Sequence, residues 1–356
     1  MSGSALARGR ALLEVGRTAE AITVLVRALA ASPESYWLLC MLSRAYNQAG
    51  QHREALRTAE SAIATNPNGT DGFLRASFAH HGLHAYGDAV ETAREAVRLA
   101  PLAWCTHVRL AMALAHVQPV GDEAMKEATR AVELAPEEAD AHFAVGFCAS
   151  KLKRRSEAIA AYHRVLSLRP THAAALNNIG LLQMKRGHLT AAAHDLRASI
   201  AADPNLETAK RNIDLLARLF LRRVYYAVFA IFLVMRIMSE NRLPLMTFAV
   251  VGGGALVILL AAAVVMDRRL PQALQAYYRR LLIRDRRLGG RVALMALALA
   301  LILSLGLPLG NPARLGIQWG VILCLIAGLW LDKAYSSRLV WRRSTMQPPK
   351  GSKRPH

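Results

Sequence analysis

Leu39, Leu42 and Tyr46 stand three and four residues apart. A polar run through Gly50 then separates them from Ala55, Ala59 and Ala62, and Pro67 follows. Apolar and small residues recurring at three and four put one face of an α-helix toward a core. The pattern predicts two helices joined by a turn at Gly50, the second ended by Pro67, because proline cannot continue a helix. The same pattern returns along the chain. Pro33, Pro67, Pro101, Pro136, Pro170 and Pro204 are spaced 34, 34, 35, 34 and 34 residues apart. An alanine stands twelve residues before each (Ala21, Ala55, Ala89, Ala124, Ala158, Ala192), and an aliphatic side chain four before each (Leu29, Ile63, Val97, Val132, Leu166, Ile200). A fixed period near 34 marks a helical repeat array.

With the proline at position 32, six units fall near residues 2–35, 36–69, 70–103, 104–138, 139–172 and 173–204. Each is expected to be two antiparallel helices, A and B. Glycine at Gly16, Gly50 and Gly187 suits the left-handed end of helix A. Alanine at position 20 suits a close approach of A to B. Position 8 is small throughout units two to six (Ser43, Ser77, Ala111, Gly146, Gly180), and the aromatic at position 24 is kept only as Tyr162. The fourth unit carries one extra residue near Pro119. No unit buries its apolar face alone, so stacking must supply a continuous core.

Residues 1–204 resemble the tetratricopeptide repeat (TPR) family in six consecutive units, through the positions quoted above. In that family the A-helix positions 2, 5, 9 and 12 face a concave groove. The resemblance therefore points to Arg10, Trp37, Cys40, Arg44 and Asn47 at the N-terminal end. In the middle it points to Leu74, Phe78, His81, Val108, Met112, Phe143 and Phe147, and at the far end to Asn177, Leu181 and Met184. Such a groove is basic at one end and apolar in the middle, and is expected to bind a protein or peptide with hydrophobic anchors. Phe78, Phe143 and Phe147 equally fit core between adjacent A helices, since stripes at helical spacing are usually core. The family's carboxylate-clamp variant is approached only by Arg10, Arg44 and Asn47, so a chaperone-tail ligand is not favoured.

Beyond residue 204 the material changes. Residues 205–223 read as a helix capping the array. Four apolar runs follow, near 224–238, 243–266, 292–309 and 315–331, against about 20 residues needed to cross a bilayer. The fold class expected is all-α: a TPR solenoid of six repeats followed by a helical membrane bundle of about four transmembrane helices. Of the net charge of +20, residues 211–356 hold 22 Lys+Arg against 5 Asp+Glu. Basic residues flanking apolar runs are topology signals, placing both ends and the 267–291 loop inside. The expected localisation is the cell membrane, multi-pass, with the TPR domain and C-terminus cytoplasmic; the lack of a signal-like apolar N-terminus agrees. The 267–291 loop is either an amphipathic helix on anionic lipid or a solvated basic loop. Residues 332–356 are expected to be a disordered basic tail. Gly316, Gly320, Cys324 and Gly328 recur every four residues, a small-residue helix-packing stripe.

Chemistry is sparse. No nucleophile–base pair, phosphate loop or intramembrane acid stands out. His80 and His84 lie at i, i+4, but no acidic or cysteine ligand stands beside them at metal spacing, so no metal is expected. Cys40, Cys105, Cys148 and Cys324 form no C-x-x-C pair and read as free thiols. No cofactor and no nucleic-acid partner is expected. Abundant alanine and arginine over lysine point to a GC-rich bacterial genome. The chain reads as a non-enzymatic, membrane-anchored TPR adaptor; the alternatives are a membrane-embedded enzyme or transporter with a regulatory TPR domain, and chaperone-like handling of other chains.

Overall fold

A computed structural model of the chain describes residues 2–117 and 119–240, with a few single residues between 290 and 327. The chain forms two compact units, Met1–Ala209 and Lys210–His356.

The first unit is a stack of helical hairpins. They are α1 (Ser2–Glu14) with α2 (Thr18–Ala31), α3 (Tyr36–Gln48) with α4 (His52–Thr65), and α5 (Thr70–Gly82) with α6 (Tyr86–Leu99). There follow α7 (Trp104–Leu114) with α8 (Asp122–Leu134), α9 (Ala139–Lys151) with α10 (Arg155–Leu168), and α11 (Ala173–Arg186) with α12 (Leu189–Ala202). Each A helix packs on its own B helix, each B helix on the next A helix, and α1, α3, α5, α7 and α9 also touch in succession. The A helices thus make one layer and the B helices the other. The extra residue of the fourth unit is absorbed between Leu114 and Asp122, where the A–B connection is longer than in the other hairpins.

The A–B contact sets this geometry. The position-20 alanines Ala21, Ala55, Ala89, Ala124, Ala158 and Ala192 are all fully buried. Facing them, positions 8 and 24 trade volume. Where position 24 is large (Leu25, Tyr162, Leu196), position 8 is glycine (Gly9, Gly146, Gly180). A Cβ on Gly146 would lie 2.7 Å from the Tyr162 ring, and one on Gly180 would lie 2.8 Å from Leu196. Where position 24 is alanine (Ala59, Ala93, Ala128), position 8 is Ser43, Ser77 or Ala111. The two serines use the space: Ser43 and Ser77 donate to the carbonyls of Ala55 and Ala89, each at 2.7 Å. A buried hydroxyl is thereby satisfied at no loss of packing.

Helix A ends the same way in five hairpins. Gly16, Gly50 and Gly187 take the left-handed conformation, as the glycine pattern predicts, and His84 and Lys153 take it too, at φ 61° and 63°. A side chain there costs roughly 1–2 kcal/mol.

The membrane bundle is a correction. Among the described residues no helix is long and apolar enough to cross a membrane. The run at 224–238 is the second part of a single helix, α13 (Glu207–Glu240). Between Arg223 and Arg236 it offers twelve uncharged residues. At 1.5 Å per residue that is about 18 Å, well short of a hydrocarbon core of about 30 Å. Its burial is one-sided, with Val228 and Phe232 buried and Tyr226, Phe229 and Leu233 exposed, the pattern of a helix packed along one stripe. The run at 243–266 lies outside the described residues, as do the 267–291 loop and the runs at 292–309 and 315–331 apart from single positions. The multi-pass localisation is withdrawn with the bundle. Of the packing stripe, Gly316 and Gly328 lie outside the described residues; Gly320 and Cys324 are helical and half-buried.

Two outcomes are expected. Gly146→Ala destabilises the array by about 1–3 kcal/mol through overpacking against Tyr162, and the penalty shrinks in a Tyr162→Ala background, read as a double-mutant cycle in urea. Lys153→Gly raises the unfolding midpoint, by up to about 1 kcal/mol in free energy.

Candidate protein-interaction surface

The exposed side of the A-helix layer carries the candidate residues. At its N-terminal end α1, α3 and α5 enclose a cleft of about 230 Å³ lined by Leu6, Arg10, Trp37, Cys40, Met41, Arg44, Asp71 and Arg75. Trp37 is 59 % exposed, its ring edge-on to Tyr36 at 5.1 Å. Arg44 is held below its usual pKa by burial and by the neighbouring Arg75 and Arg10 cations. Asp71 is the cleft's carboxylate, 3.7 Å from Arg75. The Cys40 thiol is pushed up to about 11 by burial, so it is no nucleophile.

One turn along, two guanidiniums share one ring. Arg109 Cζ lies 4.4 Å and Arg75 Cζ 5.6 Å from the centre of the Phe78 ring. Phe78 is 42 % exposed while Arg109 is only 3 % exposed. Burial alone pushes Arg109 down to about 10, and its Nε and Nη2 have no hydrogen-bond partner. Cation–π contact repays part of that desolvation.

From there an aromatic file continues across the layer. The His81 and His116 rings meet at 4.4 Å, Tyr86 stacks on His116 at 5.1 Å, and Phe147 lies 5.4 Å beyond with Lys151 Nζ 5.2 Å from its centre. Phe143 stacks on His172 at 5.2 Å and approaches Tyr162 at 5.5 Å. Burial, then Arg109, pushes His81 down to about 4. Burial, then Lys151, pushes His116 down to about 3.

The candidates named from sequence divide. Arg10, Trp37 and Arg44 come together in the cleft, and Phe78 lies exposed next to it. Phe143, Phe147 and Met112 instead pack against the buried alanines and Cys148 of the core. Asn47 pairs through Oδ1 with His52 Nδ1 at 3.0 Å, leaving Nδ2 buried without a partner. Asn177 is buried and donates to Asn178, and Leu181 is half-buried. Sequence reasoning missed Arg75, Arg109, His116 and Lys151. The signal was there: Arg75 and Arg109 are both position 6, and His116 and Lys151 both position 13, one row inside those considered. The four cysteines are free. Among the described residues no group of three His, Cys, Asp or Glu side chains is placed to hold a metal. The loop expected to meet anionic lipid lies outside the described residues.

Because His81 and His116 titrate lower in the folded state than at about 6.5 when unfolded, folding favours their neutral forms. Their contribution is complete above pH 6.5 and is lost as pH falls from there toward 4. Urea midpoints of wild type are expected to fall between pH 7.5 and 5, and to fall less in His81→Phe/His116→Phe.

Comparison with known proteins agrees with this architecture. Models described as tetratricopeptide repeat match residues 12–72 and 149–207. Tetratricopeptide repeat-containing protein trd-1 of Caenorhabditis elegans is 38 % identical over 66 residues, 18 % of this chain and 9 % of that protein, so the chain matches only a small part of this curated relative. Among solved structures, the Cut9–Hcn1 hetero-tetramer of APC/C aligns with TM-score 0.51 at 21 % identity, over 61 % of this chain and 42 % of that one. YrrB, described as a TPR protein with an unusual peptide-binding site, aligns with TM-score 0.34 at 20 % identity, over 53 % and 96 %. Tetratricopeptide repeats are thus recognised near both ends of the array, and the hairpins between them continue the same helical-hairpin fold.

Proposed function

We infer that the array is a non-catalytic scaffold that holds an extended segment of a partner protein along its A-helix layer. TPR arrays are protein-interaction scaffolds. The observation that carries it is the pair Trp37 and Phe78, large aromatic side chains left 59 % and 42 % exposed on the A-helix side, while Phe143 and Phe147 pack inward. Exposed aromatics beside a cleft are the residues from which interface anchors are drawn.

Affinity capture of the full chain followed by mass spectrometry tests this. Proteins retained by wild type are expected to be lost from Trp37→Ala/Phe78→Ala, which stays folded in a urea titration at a cost of about 1–2 kcal/mol, part of it the cation–π contact of Phe78 with Arg109. They are expected to persist with the exposed control Arg98→Gln. Phe143→Ala/Phe147→Ala instead lowers the unfolding free energy by several kcal/mol, the effect of core truncation. Retention of the same proteins by Trp37→Ala/Phe78→Ala sinks the assignment.

A further inference from the structure

We propose that the segment held against α3, α5 and α7 is acidic, with Asp or Glu side chains of the partner seated among Arg44, Arg75 and Arg109. The proposal rests on the A-helix reading above and adds the charge class of the partner.

Three observations converge. First, the cleft is unbalanced: Arg10, Arg44 and Arg75 face a single cleft carboxylate, Asp71, which already lies 3.7 Å from Arg75. Glu14 is the other acid acting on Arg44. Secondly, Arg109 is buried and no carboxylate pairs with it among the described residues; its Nε and Nη2 are both unpartnered. Those two atoms form one edge of the guanidinium plane, whose parallel N–H bonds match the two oxygens of a carboxylate. A buried cation without a counter-charge is a destabilising arrangement for the free protein, and an anion brought beside it relieves that. Thirdly, the cover is a single ring. Phe78 lies over Arg109 and beside Arg75 and is itself 42 % exposed, so a segment that meets this ring meets both guanidiniums beside it. Asn47 Nδ2, buried and unpartnered in α3, adds a donor for a peptide carbonyl.

The test is selection of a displayed random dodecapeptide library on the full-length chain. Selected peptides are expected to be enriched in Asp and Glu over the starting library. They are expected to bind Arg75→Gln and Arg109→Met at least about tenfold more weakly, as loss of a charge partner does, and Arg98→Gln unchanged. Replacing their acids by Asn and Gln abolishes binding. Arg109→Met carries a second readout: the free variant melts higher than wild type, while a purely structural arginine would melt lower when replaced. Arg44→Gln, exposed, gives the binding loss without touching the core. A selected pool without acidic enrichment, still lost from Trp37→Ala/Phe78→Ala, overturns the charge assignment and leaves the A-helix reading. A pool indifferent to every A-helix variant, or no enriched pool, overturns both. A single-stranded oligonucleotide that binds more tightly than the peptides with the same Arg75 dependence overturns the acidic-peptide assignment in favour of a nucleic acid.

Discussion

Everything in the array hangs on how closely helix A can approach helix B. A fully buried alanine at position 20 fixes the spacing. At that spacing the space between positions 8 and 24 holds one substantial side chain. Tyr162, Leu196 and Leu25 fill it from helix B, with glycine opposite; elsewhere alanine stands on helix B, and serine or alanine faces it from helix A. Close-packed interiors tolerate neither a void nor a clash of one methylene, so the pair is one specification written at two positions sixteen residues apart, seventeen in the fourth unit. The Ser43 and Ser77 hydroxyls show how the smaller solution stays sealed, each donating into the opposite helix.

The electrostatics of the A-helix layer grow from the same frame. A 34-residue period places like positions in rows across successive helices. Two arginines at position 6 therefore become neighbours about one phenyl ring. Histidine and lysine at positions 12 and 13 line up behind them, where burial and shared positive charge hold His81 and His116 neutral. The layer concentrates cations on a partly apolar surface, where opposite charge is felt strongly because little water intervenes.

How much of this was legible in the sequence follows from which interactions are periodic. The hairpins, their turns at Gly16, Gly50 and Gly187 and the buried alanines were readable, since each recurs at fixed spacing. The left-handed turns at His84 and Lys153 were not, because nothing in those residue types announces φ > 0; only the register does. The cleft was half readable. Arg10, Trp37 and Arg44 followed from the positions the family resemblance supplies. Arg109 did not, because an arginine in an A helix reads as a solvated charge until its burial is known. Of the expected spans, the run at 224–238 proves to be part of one continuous helix, Glu207–Glu240, in which Arg223 and Arg236 bound a short uncharged stretch.

The trade between positions 8 and 24 also bears on how such an array can be rearranged. The two members of each pair lie in one hairpin, so a hairpin carries its own fit wherever it is moved. A crossover inside the hairpin separates them: joining helix α3 to helix α10 would set Ser43 against Tyr162, and joining α9 to α4 would leave Gly146 facing Ala59 across empty space. The boundary that preserves the fit lies after helix B, at the recurring prolines, which makes the proline the natural seam for recombination as well as the end of each helix.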